Sequence, residues 1–187
     1  MHETAAASLW NTESASLLAR RIAAIPGLYC GPAAIAWIAA VWNAHQGVPY
    51  AFNERLKNKA LFADGPRTFA HSLPVFQTDL NHALFRETYG HLQLSQERYY
   101  RYETIHRLMR DTDMPFVVRI PTASLRDGLH YVTLFRTVMT DTTFRCYWQD
   151  NGVFKSDELM HEGISVSIRS ANKYPFFFWG ARKVVKV

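Results

Sequence analysis

The hydrophobic rhythm of the chain changes near residue 115. Before that point apolar residues recur at helical spacing; after it they alternate or form short β-branched and aromatic blocks. "SLLARRIAA" (16–24) predicts a short helix closed by Pro26-Gly27. A longer helix is predicted from about Gly31 to Asn43, with Pro32 in its first turn, where a missing N–H is tolerated. Ile35, Ile38 and Trp42 fall on one face, Trp37 and Val41 on another. A helix apolar nearly all round is expected to be buried, and its alanines allow neighbouring backbones to approach closely. Residues 50–94 read as helix and loop, broken at Gly65-Pro66 and Pro74. "TDLNHALFRETYG" offers Thr78 or Asp79 as N-cap and Gly90 as stop. Ser95 opens a further predicted helix that ends before Pro115. "FVVRI", "HYVTLFRTV", "TFRCYWQD", "ISVSIRS" and "FFFWGARKVVKV" then read as strands. Helices followed by strands predict an α+β fold with an antiparallel sheet, rather than alternating βαβ units.

Composition adds limits. The chain has 187 residues, 48% hydrophobic and 20% charged, enough for a well-filled globular core. Residues 1–15 are polar and alanine-rich and are expected to form a flexible leader, leaving 16–187 as a single domain. No run reaches the roughly 18 uncharged apolar residues of a membrane span. No basic stretch followed by an apolar run opens the chain, so no cleavable signal peptide is expected. The net charge of +5 is scattered over "ARR", "RYYRYETIHR" and "ARKVVK". That pattern reads as a solvated surface, with neither nucleic acid nor membrane as partner. Two cysteines cannot build a disulfide framework, which points to a cytosolic, reducing setting or to secretion by a route that needs no cleaved signal. His45, His71, His82, His91, His106 and His161 show no metal-ligand spacing, and no cofactor is expected.

The candidate chemistry begins at Cys30. A thiol in the first turn of a buried helix has its thiolate favoured by the helix dipole and by any nearby imidazolium. Cys146, mid-strand among aromatics, reads instead as core. "HYVTLFRTV" and "TFRCYWQD" suggest a hairpin turning near Met139 to Thr142. A turn centred on Thr140 would set His130 opposite Asp150, Val132 opposite Trp148 and Leu134 opposite Cys146, on one face. A slip of one residue would present Asn151 instead. An imidazole beside a carboxylate is held in one tautomer and stabilised when charged. The "DNG" stretch is also good turn chemistry in its own right.

Cys30, His130 and Asp150 in that order, helices before strands, resemble the papain-like cysteine peptidases. "YCGPAAIAWI" resembles the active-site helix of the branch that trims double-glycine leader peptides in bacteriocin export. "GLHYVTLF" is similar to that family's histidine strand, "WQDNG" to its aspartate turn, and "MPFVVRI" to the strand before the histidine; together the likeness covers about residues 17 to 154. It implies a papain-like fold in which an N-terminal helical part carrying the catalytic cysteine packs on a C-terminal antiparallel sheet. It further implies a Cys30–His130–Asp150 triad, hydrolysis through a thioester, and a preference for cleaving protein substrates after small residues such as Gly-Gly. Trp37, Tyr131 and Trp148 are candidate walls of the substrate cleft. The family's glutamine six residues before the cysteine, an oxyanion donor, is replaced here by Ala24.

Without a transporter domain attached, the chain is similar to the toxin tip of an interbacterial effector. That likeness implies action in a bacterial cytoplasm and a cognate immunity protein as inhibitor. The same triad also serves papain-fold deamidases, transglutaminases and acyltransferases. A peptidoglycan amidase and a catalytically weak papain-like binding domain are the remaining alternatives.

Overall fold

The structure is a computed structural model that describes residues 8–57, 72–98, 100–121, 129–141, 143–162, 165–168 and 180–187. Among these the helices are α1 (Glu13–Ala23), α2 (Cys30–His45), α3 (Ser72–Glu87) and α4 (Tyr102–Thr112). The strands are β1 (Leu92–Leu94), β2 (Phe116–Pro121), β3 (Leu129–Met139), β4 (Thr143–Asp150), β5 (Val153–Glu162), β6 (Ser165–Ile168) and β7 (Ala181–Lys186). They form one antiparallel sheet in the order β1-β7-β2-β3-β4-β5-β6. The fold is therefore α+β. No described helix is long and apolar enough to cross a membrane.

Two cores flank the sheet. In the first, α2 is buried from Gly31 to Asn43, and Ile35, Trp37 and Ile38 pack with Leu80 and Leu84 of α3 and with Tyr131 and Phe135 of β3. In the second, Ile105 and Met109 of α4 cover Val132, Leu134, Phe144, Cys146 and Trp148. The strand period of two thus divides β3 between them: Tyr131 and Phe135 on one side, Val132 and Leu134 on the other. A bulge between Leu134 and Arg136 then shifts the alternation. Beyond it Thr137 turns to the α4 side, where its hydroxyl lies 3.1 Å from His106 Nδ1.

Several boundaries differ from expectation. The leader expected over 1–15 does not extend that far. Ser8 and Thr12 cap turns of helix, and Trp10 is fully enclosed, its Nε1 donating to Asp113 O at 2.6 Å. A lone tryptophan in polar surroundings reads as leader because its partner lies a hundred residues away. Helix α3 begins before Thr78 and runs through Pro74, which falls in its first turn. Ser95 does not open a helix: its N–H donates to Lys183 O, and Arg98 bridges to Ala181, so this stretch extends the sheet beside β7. β5 was not expected, because "VFKSDELMHE" lacks the β-branched and aromatic pattern. The expected break at Gly65-Pro66, His71 and the aromatic run 176–179 lie outside the described residues.

Candidate active site

Three segments converge where β3 outruns β4. The first is the start of α2. Tyr29 precedes the helix in extended conformation and gives it no side-chain cap. Cys30 is the first helical residue, and its N–H makes no hydrogen bond among the described residues. The second is the start of β3, which runs antiparallel to β2 with His130 level with Ile120. The third is the end of β4, where Asn151 and Gly152 turn the chain with positive φ at both (45° and 81°), as a two-residue type I′ hairpin requires. That turn is held against α1: a Cβ on Gly152 would lie 2.5 Å from Ala23 Cβ and 3.0 Å from Ala19 O. Asp150 is thereby fixed at the strand end, level with Val153 of β5.

The register between β3 and β4 differs from the expected one by two residues. Leu134 pairs with Trp148 and Thr137 with Cys146. The loop joins Met139 to Phe144, so the turn centres later than Thr140, and the bulge at Phe135 recovers only part of the offset. A two-residue slip preserves which face each side chain occupies. His130 and Asp150 are consequently diagonal neighbours on one face, not opposite each other, and a diagonal pair remains within reach of longer side chains.

They meet: His130 Nε2 and Asp150 Oδ1 are 2.6 Å apart. The second carboxylate oxygen, Oδ2, accepts from Lys155 Nζ at 2.6 Å. With Nε2 committed to Asp150, Nδ1 is the nitrogen left for Cys30, and the two side chains lie close enough that each shifts the other's proton affinity. The sulfur accepts from the Tyr131 N–H at 3.5 Å.

The electrostatics follow from these contacts. The bond to Asp150 raises His130 most, the bond to Cys30 adds to it, and together they outweigh burial; the imidazole is pushed up to about 9. Burial works against a Cys30 thiolate, but the His130 bond, the Tyr131 N–H, the imidazolium charge and the Gly31 N–H outweigh it and hold the thiol below its ordinary value. Burial likewise opposes Asp150, and the bonds from His130 and Lys155 hold its carboxyl below the usual range. The shifts favour a charged imidazole beside a thiol whose proton is held less tightly than usual, with a carboxylate behind them, an arrangement that can supply an activated nucleophile.

The other expected site residues lie elsewhere. Trp37 is completely enclosed, its Nε1 donating to Ala15 O at 2.9 Å and its ring packed against Trp10, Phe135 and Phe154. Tyr131 is buried, contributing its backbone N–H to the sulfur rather than a ring to a cleft. Trp148 is buried in the core beneath α4. All three were expected as cleft walls and are packing residues, because the alternation of β3 and β4 and the all-round burial of α2 turn them inward. The exposed aromatic beside the nucleophile is Tyr29. Ala24 is the C-cap of α1 and offers no side-chain donor. Lys155 was missed; a two-residue turn at Asn151-Gly152 sets it two positions beyond the partner of Asp150, on the same face, and that spacing was the available signal. Cys30 and Cys146 are not joined in a disulfide. No protein-family description matches this chain, and no curated protein does.

Proposed function

We propose that this protein is a papain-like cysteine protease that cleaves protein substrates after small residues such as a Gly-Gly pair, and that it acts as a toxin or effector in the bacterial cytoplasm. The reading is supported above all by the convergence of Cys30, at the N-terminus of a buried helix, with His130 and its bonded partner Asp150. The Cys30 thiolate attacks the scissile carbonyl carbon. The His130 imidazolium gives its proton to the departing amine nitrogen, leaving a thioester and a neutral ring. The same ring then takes a proton from water, whose oxygen attacks the thioester carbon. The thiolate departs and the ion pair is restored. Asp150 keeps the ring in the tautomer that serves Cys30 and stabilises its charged form. The Cys30 N–H, which has no bond among the described residues and lies at the positive end of α2, would serve as a donor to the developing oxyanion.

Ala24 supports a second reading, a catalytically weak binding domain, since one missing oxyanion donor lowers the rate by about 100- to 1000-fold. Deamidases, transglutaminases and acyltransferases share the thioester; deamidases differ in expelling ammonia from a side-chain amide, and the transferases in the nucleophile that takes the acyl group. Expression of wild type and Cys30→Ala in bacterial cytosol separates these. Growth arrest by wild type alone, with new protein N-termini after glycine pairs, supports the protease. Ammonia release or isopeptide products without backbone cleavage support the transfer enzymes, and equal growth with an unreactive thiol supports the binding domain. A protein that rescues growth and blocks alkylation of Cys30 is the expected immunity partner.

A further inference from the structure

Lys155 stands behind the array on the far side of the carboxylate. It belongs to β5, level with Trp148, and therefore lies diagonally across the tight hairpin from Asp150. Its Nζ bonds Oδ2 at 2.6 Å while Oδ1 holds His130 at the same distance, so both oxygens of one carboxylate are committed to cations on opposite sides. The Asp150 side chain is only 13% exposed, whereas that of Lys155 is 46% exposed. The carboxylate is thus shielded and the ammonium reaches it from the solvent side. A carboxylate held at one oxygen can rotate about χ2 and carry its imidazole with it; one held at both cannot.

We propose that Lys155 is a positioning residue of the Cys30–His130–Asp150 array: a fixed cation that locks the Asp150 carboxylate in the plane that serves His130 and sets the acidity of the whole array. The inference rests on the reading of those three residues as a working site. The charged and titratable groups of the array are Asp150 on its own hairpin, His130 on β3 and Cys30 on α2, and α1 meets the hairpin turn through Ala19, Arg20 and Ala23. Arg20 is bonded back to Ser16 on its own helix at 3.4 Å, which leaves Lys155 as the cation on the carboxylate. Removing a cation raises the proton affinity of every group near it, acid and base alike. Without Lys155 the Cys30, Asp150 and His130 titrations therefore all move upward, and the window in which thiolate and imidazolium coexist slides to higher pH without narrowing.

The test is the rate of Cys30 alkylation by iodoacetate across pH, read by peptide mass spectrometry, in wild type, Lys155→Met and Lys155→Arg, with thermal melts at neutral pH to confirm folding. Iodoacetate, an anion, reacts fastest with a thiolate that has an imidazolium beside it, so both edges of the window are visible. Both edges of Lys155→Met are expected to rise by about half a pH unit, the size appropriate to a half-exposed cation, with Lys155→Arg restoring both. Unchanged edges, edges moving in opposite directions, or failure of arginine to restore them overturns the proposal. A wild-type profile with the single step of an ordinary thiol overturns instead the reading of the site on which it rests. If Lys155→Met does not fold, wild type supplies the test: salt that screens the exposed ammonium must move both edges upward, and an unmoved profile overturns the proposal.

Discussion

His130 and Asp150 are bonded at 2.6 Å although no strand pairing sets them side by side. The diagonal works because the carboxylate ends its strand at a tight turn and is held there from three sides: His130, Lys155 and the packing of the turn on α1. The array is therefore only as well aligned as that turn.

Substitution Gly152→Ala tests the turn directly. The added methyl meets Ala23 Cβ at 2.5 Å, and the residue must keep a φ of 81°. A loss of about 1–3 kcal/mol of stability is expected, measured by urea titration. Activity should fall even where the variant remains folded, since Asp150 is two residues away.

Substitution Cys30→Ala removes the proposed nucleophile while leaving a small apolar residue at the helix start. Hydrolysis is expected to fall by roughly ten-thousand-fold or more, with the melting temperature little changed. Residual cleavage at wild-type rate in a purified assay would rule Cys30 out as nucleophile.

Asparagine at position 150 has one oxygen to share between His130 and Lys155. Asp150→Asn is expected to lower turnover by about 100-fold or more, and to let the imidazole fall back toward its ordinary value of 6.5. A titration of the ring by NMR reads the second effect separately from the first.

The pH dependence follows from the same shifts. The folded imidazole titrates at about 9, above its ordinary 6.5, so the stability it confers is complete below about pH 6.5 and is lost as pH rises through 9. Asp150 and Cys30 are shifted the other way; their contributions are present at high pH and are lost as pH falls through their depressed values. Activity should accordingly decline as pH passes about 9, and the difference in melting temperature between wild type and Asp150→Asn should narrow over that same interval.

Trp10→Ala removes a fully enclosed side chain and its bond to Asp113 O. A loss of about 3–5 kcal/mol is expected by denaturant titration. No measurable change would mean that this segment does not contribute to the core.

How much of this was legible beforehand depends on the range of the forces involved. The α+β order, the buried all-apolar helix with Cys30 at its head, and the positions of His130 and Asp150 at strand ends follow from local periodicity and turn chemistry. The register does not, because it depends on a loop and a bulge whose offsets add, and neither Thr140 nor Phe135 announces its part. That His130 and Asp150 still share a face follows from the period of two: any even slip preserves the face. Polar strand β5, the burial of Trp10 and the role of Lys155 were hidden for one reason. Each is determined by a partner supplied by tertiary pairing, not by neighbours along the chain.

The bond from the Tyr131 N–H to the Cys30 sulfur joins residues 101 positions apart. In the unfolded chain the same side chains are an ordinary thiol, an ordinary imidazole and an ordinary carboxylic acid, and no fragment of the chain contains all of them in contact. Closing so long a loop is among the slower, more entropically demanding steps of folding. Reactivity of Cys30 after dilution from denaturant is therefore a clock for one of the long-range contacts of the molecule. Until that contact forms, the thiol of the unfolded chain has only ordinary reactivity.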